Sequence, residues 1–372
     1  MGVQKLAFAA LAAGLLHSAW GSEALVDSWK MEWPRTDFSR RTVPLEEIES
    51  GGPPKDGIPA IDRPKFDSAS TASLWLDPRE PVIVVEIGGR GRAYPLSVLI
   101  WHEIANDRFG DVPLAVTFCP LCNASIVFDR RVGGATLDFG TTGKLRHSDL
   151  VMYDRQTHSW WQQFTGAGIV GRHAGTRLAR IPSQIVSFAD FRAAHPEGQV
   201  LSRSTGFPRP YGRNPYRGYD RIDQSPFLLS SAPDSRLPAM ERVIAVQAGG
   251  VQRIYPFSRL ERQPVINDTV GGEPVAVFSR HGTLSVLDQE EIRGSREIAS
   301  ATAFLRRLQG GVLEFALRDG KVRDLQTDSE WNLLGHALAG PLKGARLQTA
   351  SEGVHFAFAW LVFNPKTEIY AK

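Results

Sequence analysis

Cysteine is nearly absent from this chain of 372 residues, which contains only Cys119 and Cys122. With one pair available, at most one disulfide can form, so the fold cannot depend on a network of disulfides. The two thiols lie three positions apart, directly after the strand-like run 113–118. A close thiol pair suits a disulfide, a redox couple or half of a site for a soft metal. Any thiol chemistry of this protein is therefore confined to one place.

The body of the chain also lacks a strong net charge and a long apolar run. The 43 basic residues nearly balance the 40 acidic ones, which gives no reason to expect binding to nucleic acid or to an anionic surface. Beyond the N-terminal region, no apolar run approaches the ~20 residues that a membrane-spanning helix needs. We therefore expect neither a nucleic-acid partner nor a stable membrane span.

Long amphipathic helical patterns are scarce as well, whereas 35 glycines and 24 prolines supply many turns. Hydrophobic residues make up 42% of the chain, which is enough for a large core in two units. Short apolar runs separated by turn residues are typical of strands. The composition thus predicts a mainly β fold of the α+β kind, with short helices.

The N-terminus has the residue order of a secretory signal. One basic side chain, Lys5, precedes the apolar run 6–16, and small residues follow at 18–22. The run is too short to span a bilayer, which favours a cleaved signal peptide over the alternative of an uncleaved anchor. We expect residues 1–21 to be removed, with cleavage after Ala24 as the alternative, and the mature protein to be soluble and periplasmic or secreted.

Two stretches of the chain have similar amino-acid sequences. Three pairs of segments match at one constant separation of 161 positions, and two further pairs match in the same order. Coincidence does not supply five matches in one order, so the pattern predicts two tandem, duplicated β-rich domains. The pairs are 92–96 with 253–257, 104–107 with 265–268, 110–116 with 271–277, 154–161 with 324–331 and 175–178 with 344–347.

These matches set the predicted domain limits. Residues 22–80 form an N-terminal arm, 81–201 the first repeat, 202–240 a connecting segment and 241–372 the second repeat. The arm and the connecting segment are rich in proline and glycine, and proline breaks helices and central strands. The connecting segment is therefore either a plain linker or, because of its tyrosines and phenylalanines, a strap that wraps across the first repeat.

The thiols belong to the first repeat alone. A shift of 161 positions from Cys119 and Cys122 leads to Arg280 and Thr283. A residue pair needed only to hold the scaffold would be expected in both copies, so this difference favours a functional role. A structural disulfide peculiar to the first repeat is the alternative.

Three interpretations of the thiol pair stay open. The first is a soft-metal site, with copper as the leading ion and zinc as the next, in which His147 and Met152 join Cys119 and Cys122 as ligands. The second is a thiol–disulfide oxidoreductase, although the flanking pattern is not the βαβ unit of thioredoxin-like proteins. The third is an interaction module with a structural disulfide, which contributes only about 2 kcal/mol in so short a loop. Further histidines considered as ligands are His102, His158 and His355.

Charged residues crowd the segment that follows the turn at 140–145. Arg146, Asp149, Asp154 and Arg155 are too many charges for a buried strand unless they pair with each other or with a ligand. They are candidates for binding a cofactor or an anion beside the thiols, or else they close a salt-bridged strand end. The expected ligand is an unidentified small molecule or an exported protein.

Two motifs carry a family resemblance. The segments 118–123 (Phe-Cys-Pro-Leu-Cys-Asn) and 148–155 (Ser-Asp-Leu-Val-Met-Tyr-Asp-Arg) resemble those of an uncharacterised family of exported bacterial proteins, catalogued only as a domain of unknown function. The similarity extends over roughly residues 50–370. It implies export and an important cysteine motif, and it implies no particular reaction.

Overall fold

A computed structural model describes residues 24–371 of the protein, and strands dominate it. The prediction of a mainly β fold with short helices is therefore confirmed, whereas the predicted signal peptide, residues 1–21, lies outside the described residues. Among residues 24–371, no helix is long and apolar enough to cross a lipid bilayer. Besides the helical residues 24–30, the α-helices are Ala69–Ala72, Leu96–Leu99, Phe188–Ala194, Phe257–Leu260 and Ala357–Phe363.

The N-terminal arm, residues 24–80, and the first half, residues 81–201, contain sixteen strands. Those in the arm pair with strands of the first half, so the arm is part of its sheets. The strands are β1 Ile48–Ser50, β2 Phe66–Ser68, β3 Pro81–Ile87, β4 Arg90–Pro95, β5 Ile104–Phe109, β6 Val112–Cys119, β7 Ala124–Asp129, β8 Arg131–Val132, β9 Ala135–Thr136, β10 Phe139–Arg146, β11 Asp149–Asp154, β12 Trp160–Gln162, β13 Ala167–Val170, β14 Arg180–Ile181, β15 Ser183–Ser187 and β16 Gln199–Leu201.

The strands of the second half, residues 241–371, are numbered from β17 to β29. Its strands are β17 Arg242–Ala248, β18 Val251–Pro256, β19 Val265–Val270, β20 Glu273–Leu284, β21 Glu297–Leu305, β22 Arg307–Leu308, β23 Gly311–Val312, β24 Phe315–Arg318, β25 Lys321–Asp324, β26 Glu330–Trp331, β27 Ala337–Ala339, β28 Ser351–Phe356 and β29 Glu368–Ile369.

The two halves have similar sheet plans, with one strand fewer in each main sheet of the second half. In the first half one sheet has the order β15-β3-β4-β16-β2, a second β14-β7-β6-β5 and a third β1-β10-β11-β12-β13. In the second half the corresponding orders are β28-β17-β18-β29, β19-β20-β21 and β24-β25-β26-β27. The pairs β4–β16 and β18–β29 are parallel, and the remaining neighbours within these sheets are antiparallel. That the halves arose by duplication stays a prediction.

A buried hydrogen-bond network recurs with this plan. Tyr94 donates its hydroxyl to Asp107 at 2.6 Å, and Tyr255 donates its hydroxyl to Asp268 at 2.8 Å. In each half an arginine two positions before the tyrosine pairs with the same aspartate. These networks fix the second strand of one sheet to the first strand of the next, because a buried carboxylate requires several donors.

The halves and the connecting segment pack into one body around a shared core. The largest apolar cluster contains both cysteines together with Phe356 and Trp360 of the second half. The connecting segment, residues 202–240, contacts both halves: Tyr211 hydrogen-bonds His102 of the first half at 2.7 Å, and the backbone N–H of Asn214 donates to the carbonyl of Glu290 in the second half at 2.8 Å. The segment is thus packed against both halves at these positions.

Candidate functional site

The cysteine loop begins where strand β6 ends. The strand is almost wholly buried, and Pro120 stops it because proline has no N–H for the ladder. A single 3-10 turn, Pro120–Cys122, follows, and Asn123 closes it in the left-handed conformation with φ 48°. The turn brings the side chain of Cys122 back beside that of Cys119 at the end of the strand, so both sulfurs face one point.

The hairpin of β10 and β11 reaches the thiols with its tip. Its two-residue turn, His147 and Ser148, has positive φ at both positions, 53° and 66°, which is the pattern of a type I′ turn. The turn directs the carbonyl oxygen of Ser148 at the thiols. Cys122 Sγ lies 3.5 Å and Cys119 Sγ 3.9 Å from that oxygen.

The next residue, Asp149, completes a three-ligand group. One of its carboxylate oxygens and the two sulfurs all lie within 4.8 Å of one another. Its Oδ2 accepts hydrogen bonds from the side-chain amide of Gln162 at 2.6 Å and the backbone N–H of Phe164 at 2.9 Å. Its Oδ1 receives none from a nitrogen or hydroxyl donor in residues 24–371. One oxygen is thus held in place while the other stays available near the thiols.

Both cysteines are free in this structure, so the structural disulfide considered from the sequence does not close this loop. Each thiol is directed instead at the carbonyl of Ser148. Burial raises the pKa of Cys119 and raises that of Cys122 further, and it raises the pKa of Asp149 to about 7. In the absence of a cation both thiols therefore hold their protons at neutral pH, and Asp149 takes up a proton as the pH falls through about 7.

Glu103 is a fourth acidic group at this site, and sequence reasoning missed it. Its backbone has φ 58°, and its carbonyl accepts the N–H of Phe118 at 2.8 Å, beside the cysteine loop. Burial, and secondly the charge of Asp149, raises the pKa of Glu103 to about 8. No described residue forms an ion pair with its carboxyl group. The repeat offered a signal, because Pro264 stands 161 positions after Glu103, so the second half lacks this carboxylate too.

A cavity of about 540 Å³ adjoins the group. Glu103 lines it, as do Leu121 from the cysteine loop and Leu150 next to Asp149. The connecting segment covers the opposite wall with Tyr216 and Tyr219. The pKa of each tyrosine is raised, chiefly by burial, so both hydroxyls stay neutral. The cavity thus offers a small molecule a mainly apolar space that Glu103 and Lys144 also line.

The predicted ligands His147 and Met152 lie outside the three-ligand group. His147 contacts Ser230 through Nδ1 at 3.1 Å and Glu47 through Nε2 at 3.4 Å. Met152 is fully buried in the apolar core. Side chains alternate between the two faces of a strand, so Met152, three residues after Asp149 on β11, points to the opposite face from it.

Of the predicted cofactor-binding residues, Asp149 alone contacts the thiol site. Arg146 pairs with Glu47 at 2.5 Å, and Arg155 pairs with Asp62 at 2.6 Å. Asp154 accepts the indole N–H of Trp161 at 2.9 Å and the backbone N–H of Thr157 at 2.6 Å. These three close strand ends and turns, as the alternative interpretation of the charged segment has it.

The remaining histidines bind neighbours away from the thiols. His102 bridges the carbonyl of Pro59 and the hydroxyl of Tyr211, both at 2.7 Å. His355 contacts the carbonyl of Glu352 at 3.0 Å, and burial lowers its pKa to about 3. His158 packs edge-on against Trp33. None of these three histidines belongs to the group of Cys119, Cys122 and Asp149.

Fold and site together define a β-rich protein with a buried Cys-Cys-Asp group beside a cavity that the connecting segment lines on one side. The chain belongs to the family described as "Protein of unknown function (DUF3179)", whose model matches residues 55–367. The family membership expected from the two motifs is thereby confirmed. No curated protein and no solved structure matches the chain.

Proposed function

We propose that the protein binds a metal ion through Cys119, Cys122 and Asp149. The observation that carries the proposal is the convergence of their three ligand atoms within 4.8 Å at a buried point. Among the described residues, no basic side chain forms an ion pair with Asp149 or the thiols. A metal cation supplies the missing positive charge and displaces the thiol protons, as metal binding to cysteine generally does.

The donor set favours zinc as the ion. Two thiolates and one carboxylate are all common zinc ligands, whereas copper(I) prefers soft sulfur donors alone. Copper, the ion that the cysteine motif favours by itself, is therefore the second ion to test. Three protein ligands leave a fourth position open, which is typical of zinc sites that do chemistry. Glu103 stands beside this site on the cavity wall as a group that can exchange a proton with a bound molecule.

Thiol–disulfide exchange has weaker support. It requires a thiolate that a partner disulfide can reach. Cys119 and Cys122 are at most 1% exposed, and burial raises the pKa of both thiols. Reversible oxidation of the two thiols would nevertheless be a distinct outcome of the experiment below.

We also propose that the two halves are copies of one unit and that the first acquired the site. The common sheet plan supports this, and so does one difference between the copies. The hairpin of the first half runs from Phe139 to Asp154, and that of the second from Phe315 to Asp324, six residues shorter. Both pairs of end residues face each other in register. The extra length is what carries Asp149 to the thiols.

Export remains part of the proposal, and it rests on the apolar run 6–16 after Lys5. In an oxidising compartment free thiols tend to form disulfides, and a bound metal ion would protect Cys119 and Cys122 from that oxidation. The protein should therefore be prepared from the compartment to which it is exported.

The test is metal analysis combined with thiol counting on the full mature protein. We expect one equivalent of zinc bound at the thiols after reconstitution and two thiols that react with a thiol reagent only after chelation. Cys119→Ser with Cys122→Ser should abolish zinc binding at the thiol site, and Asp149→Asn, which replaces a proposed ligand, should weaken it by at least the about 10- to 100-fold that loss of an outer-shell partner costs. Asp319→Asn is the matched control, because Asp319 is an exposed residue at the turn of the shorter hairpin.

Two results would contradict the proposal. One is a reconstituted wild-type protein that binds neither zinc nor copper. The other is zinc binding that survives the double cysteine substitution with unchanged stoichiometry and affinity. Thiols that cycle between free and disulfide-bonded forms without metal would instead support the oxidoreductase.

A further inference from the structure

A second cluster of metal-ligating side chains lies where the two halves meet. Glu86 is near the end of β3, and His195 directly follows the helix Phe188–Ala194. His336 comes from the second half, between β26 and β27. None of the three belongs to the thiol site.

The three side chains converge on one point. His195 Nε2 lies 2.6 Å and His336 Nε2 2.9 Å from the same oxygen of Glu86, Oε1. The two imidazole rings are nearly perpendicular, at 89°, with their centroids 5.7 Å apart. One ligand atom from each residue lies within 4.8 Å of the others. Two imidazoles that point the same nitrogen at one carboxylate form the ligand arrangement of a two-histidine, one-carboxylate site.

The surrounding structure holds both rings in place. The ring of His195 lies against Gly91, where an added Cβ would come within 2.4 Å of the ring, so this position requires glycine. The backbone of His336 is fixed by Asn332, whose side-chain oxygen accepts its N–H at 2.9 Å and whose own N–H donates to its carbonyl at 3.0 Å. Ligands held in this way bind a metal with little loss of side-chain entropy.

We propose that Glu86, His195 and His336 bind a divalent first-row transition-metal ion, for which Zn²⁺ is the probe. Imidazole nitrogen and carboxylate oxygen are normal zinc ligands at about 2.0–2.2 Å. Ligand atoms around such an ion lie roughly 3.3 Å apart. The contacts of His195 and His336 with Glu86 therefore widen by less than about 1 Å on binding, which side-chain rotation supplies.

Arg346 is the cation that the metal ion must displace. Its Nη1 lies 3.3 Å from Glu86 Oε1, and its side chain is 44% exposed, so it can turn into solvent. In the absence of metal, His195, His336 and Arg346 all contact the carboxylate of Glu86. The ion would join the first half to the second, so its binding stabilises the folded protein by an amount that rises with the logarithm of its free concentration above the dissociation constant.

The experiment measures Zn²⁺ binding by titration calorimetry in protein that carries Cys119→Ser and Cys122→Ser, so that the thiol site is silent. We expect one equivalent of Zn²⁺ and a rise in melting temperature with added Zn²⁺. Both should be lost with His336→Gln and kept with His281→Gln, an exposed histidine of the same half. Failure of the thiol site to bind metal leaves this result unchanged, so the two proposals are tested separately.

A second measurement covers the case in which the double cysteine variant does not fold. Wild-type protein titrated with Co²⁺ should show two classes of bound ion, of which only the thiol-bound class has a sulfur-to-metal charge-transfer band. His336→Gln should remove the class without that band and leave the other. Equal Zn²⁺ or Co²⁺ binding by the His336→Gln and His281→Gln proteins would overturn the proposal, and so would no binding outside the thiol site.

Discussion

The carbonyl oxygen of Ser148 lies 3.5 Å from the sulfur of Cys122, at the tip of a hairpin turn that contains no glycine. Ser148 and His147 both have positive φ, and so do Asn123 and Glu103 beside the same thiols. Each such residue costs of order 1 kcal/mol or more, and residues of this kind collect at functional sites. These left-handed residues surround the place where the side chains of Cys119, Cys122 and Asp149 meet. All three side chains are acidic groups.

The ligand set is the first testable consequence. Met152→Leu conserves volume in the core, and His147→Asn suits a left-handed turn position, so neither should disturb the fold. If the ligands are Cys119, Cys122 and Asp149, both variants should bind zinc with wild-type stoichiometry and an affinity within about threefold. Competition with a chromophoric chelator measures this. Loss of zinc binding in either variant would restore that residue to the ligand set that the sequence predicts.

Glu103 gives metal-free protein a pH-dependent stability. Its pKa in the folded state is raised to about 8, above the value of about 4.3 in an unfolded chain. The folded protein then keeps a proton that the unfolded chain releases. The contribution of Glu103 to stability is thus fully present below about pH 4.3 and is lost as pH rises through about 8.

Glu103→Gln should therefore be more stable than wild type at pH 8.5, by about 2–4 kcal/mol, and close to wild type near pH 4.5. Urea denaturation in the presence of a chelator, at several pH values, measures the difference. Glu197→Gln is the control, because Glu197 is exposed. An identical pH profile for Glu103→Gln and wild type would show that Glu103 is ionised in the folded protein at neutral pH.

Sequence reasoning found the cysteine loop and the family because both depend on short, contiguous segments. An apolar strand that ends in proline identifies the position of Cys119 without any knowledge of the fold. The charged segment was a harder case, since a hairpin tip brings Asp149 to the thiols while the strand carries Asp154 away from them. Which aspartate lies near the thiols depends on the register of the β10–β11 hairpin. The positions of charged residues in the sequence do not determine that register.

Glu103 and the His195–His336 pair could not be placed from the sequence for a different reason. Glu103 approaches the thiols through a left-handed backbone before β5, and a single glutamate has no periodic pattern to mark it. His195 and His336 come from different halves and meet only because the halves pack together. Long-range packing of this kind is set by the whole core, so local patterns carry no information about it.

The N-terminal segment is predicted to be a cleaved signal. The mature protein recovered from the exported fraction should begin near Ser22 or Leu25, because small residues precede both positions. Intact-mass spectrometry distinguishes these two ends. Membrane-bound protein that retains Met1 would instead identify the segment as an uncleaved anchor.

The last prediction concerns two aspartates that occupy the same position in the two halves. Asp154 accepts the backbone N–H and hydroxyl of Thr157 and the indole N–H of Trp161. Asp324 has the same three donors, from Thr327 and Trp331. Asparagine at either position presents an NH₂ group to one of these donors and leaves it unpaired.

Asp154→Asn and Asp324→Asn should therefore each lower the free energy of unfolding by a similar amount, about 1–3 kcal/mol, because one buried donor loses its acceptor. Both variants should keep zinc binding, since neither aspartate contacts the thiol site. Denaturation curves and zinc titration of the two proteins, run side by side, make the comparison. A loss of zinc or cofactor binding in Asp154→Asn alone would contradict this equivalence and would mean that Asp154 binds the ligand, as the charged segment first indicated.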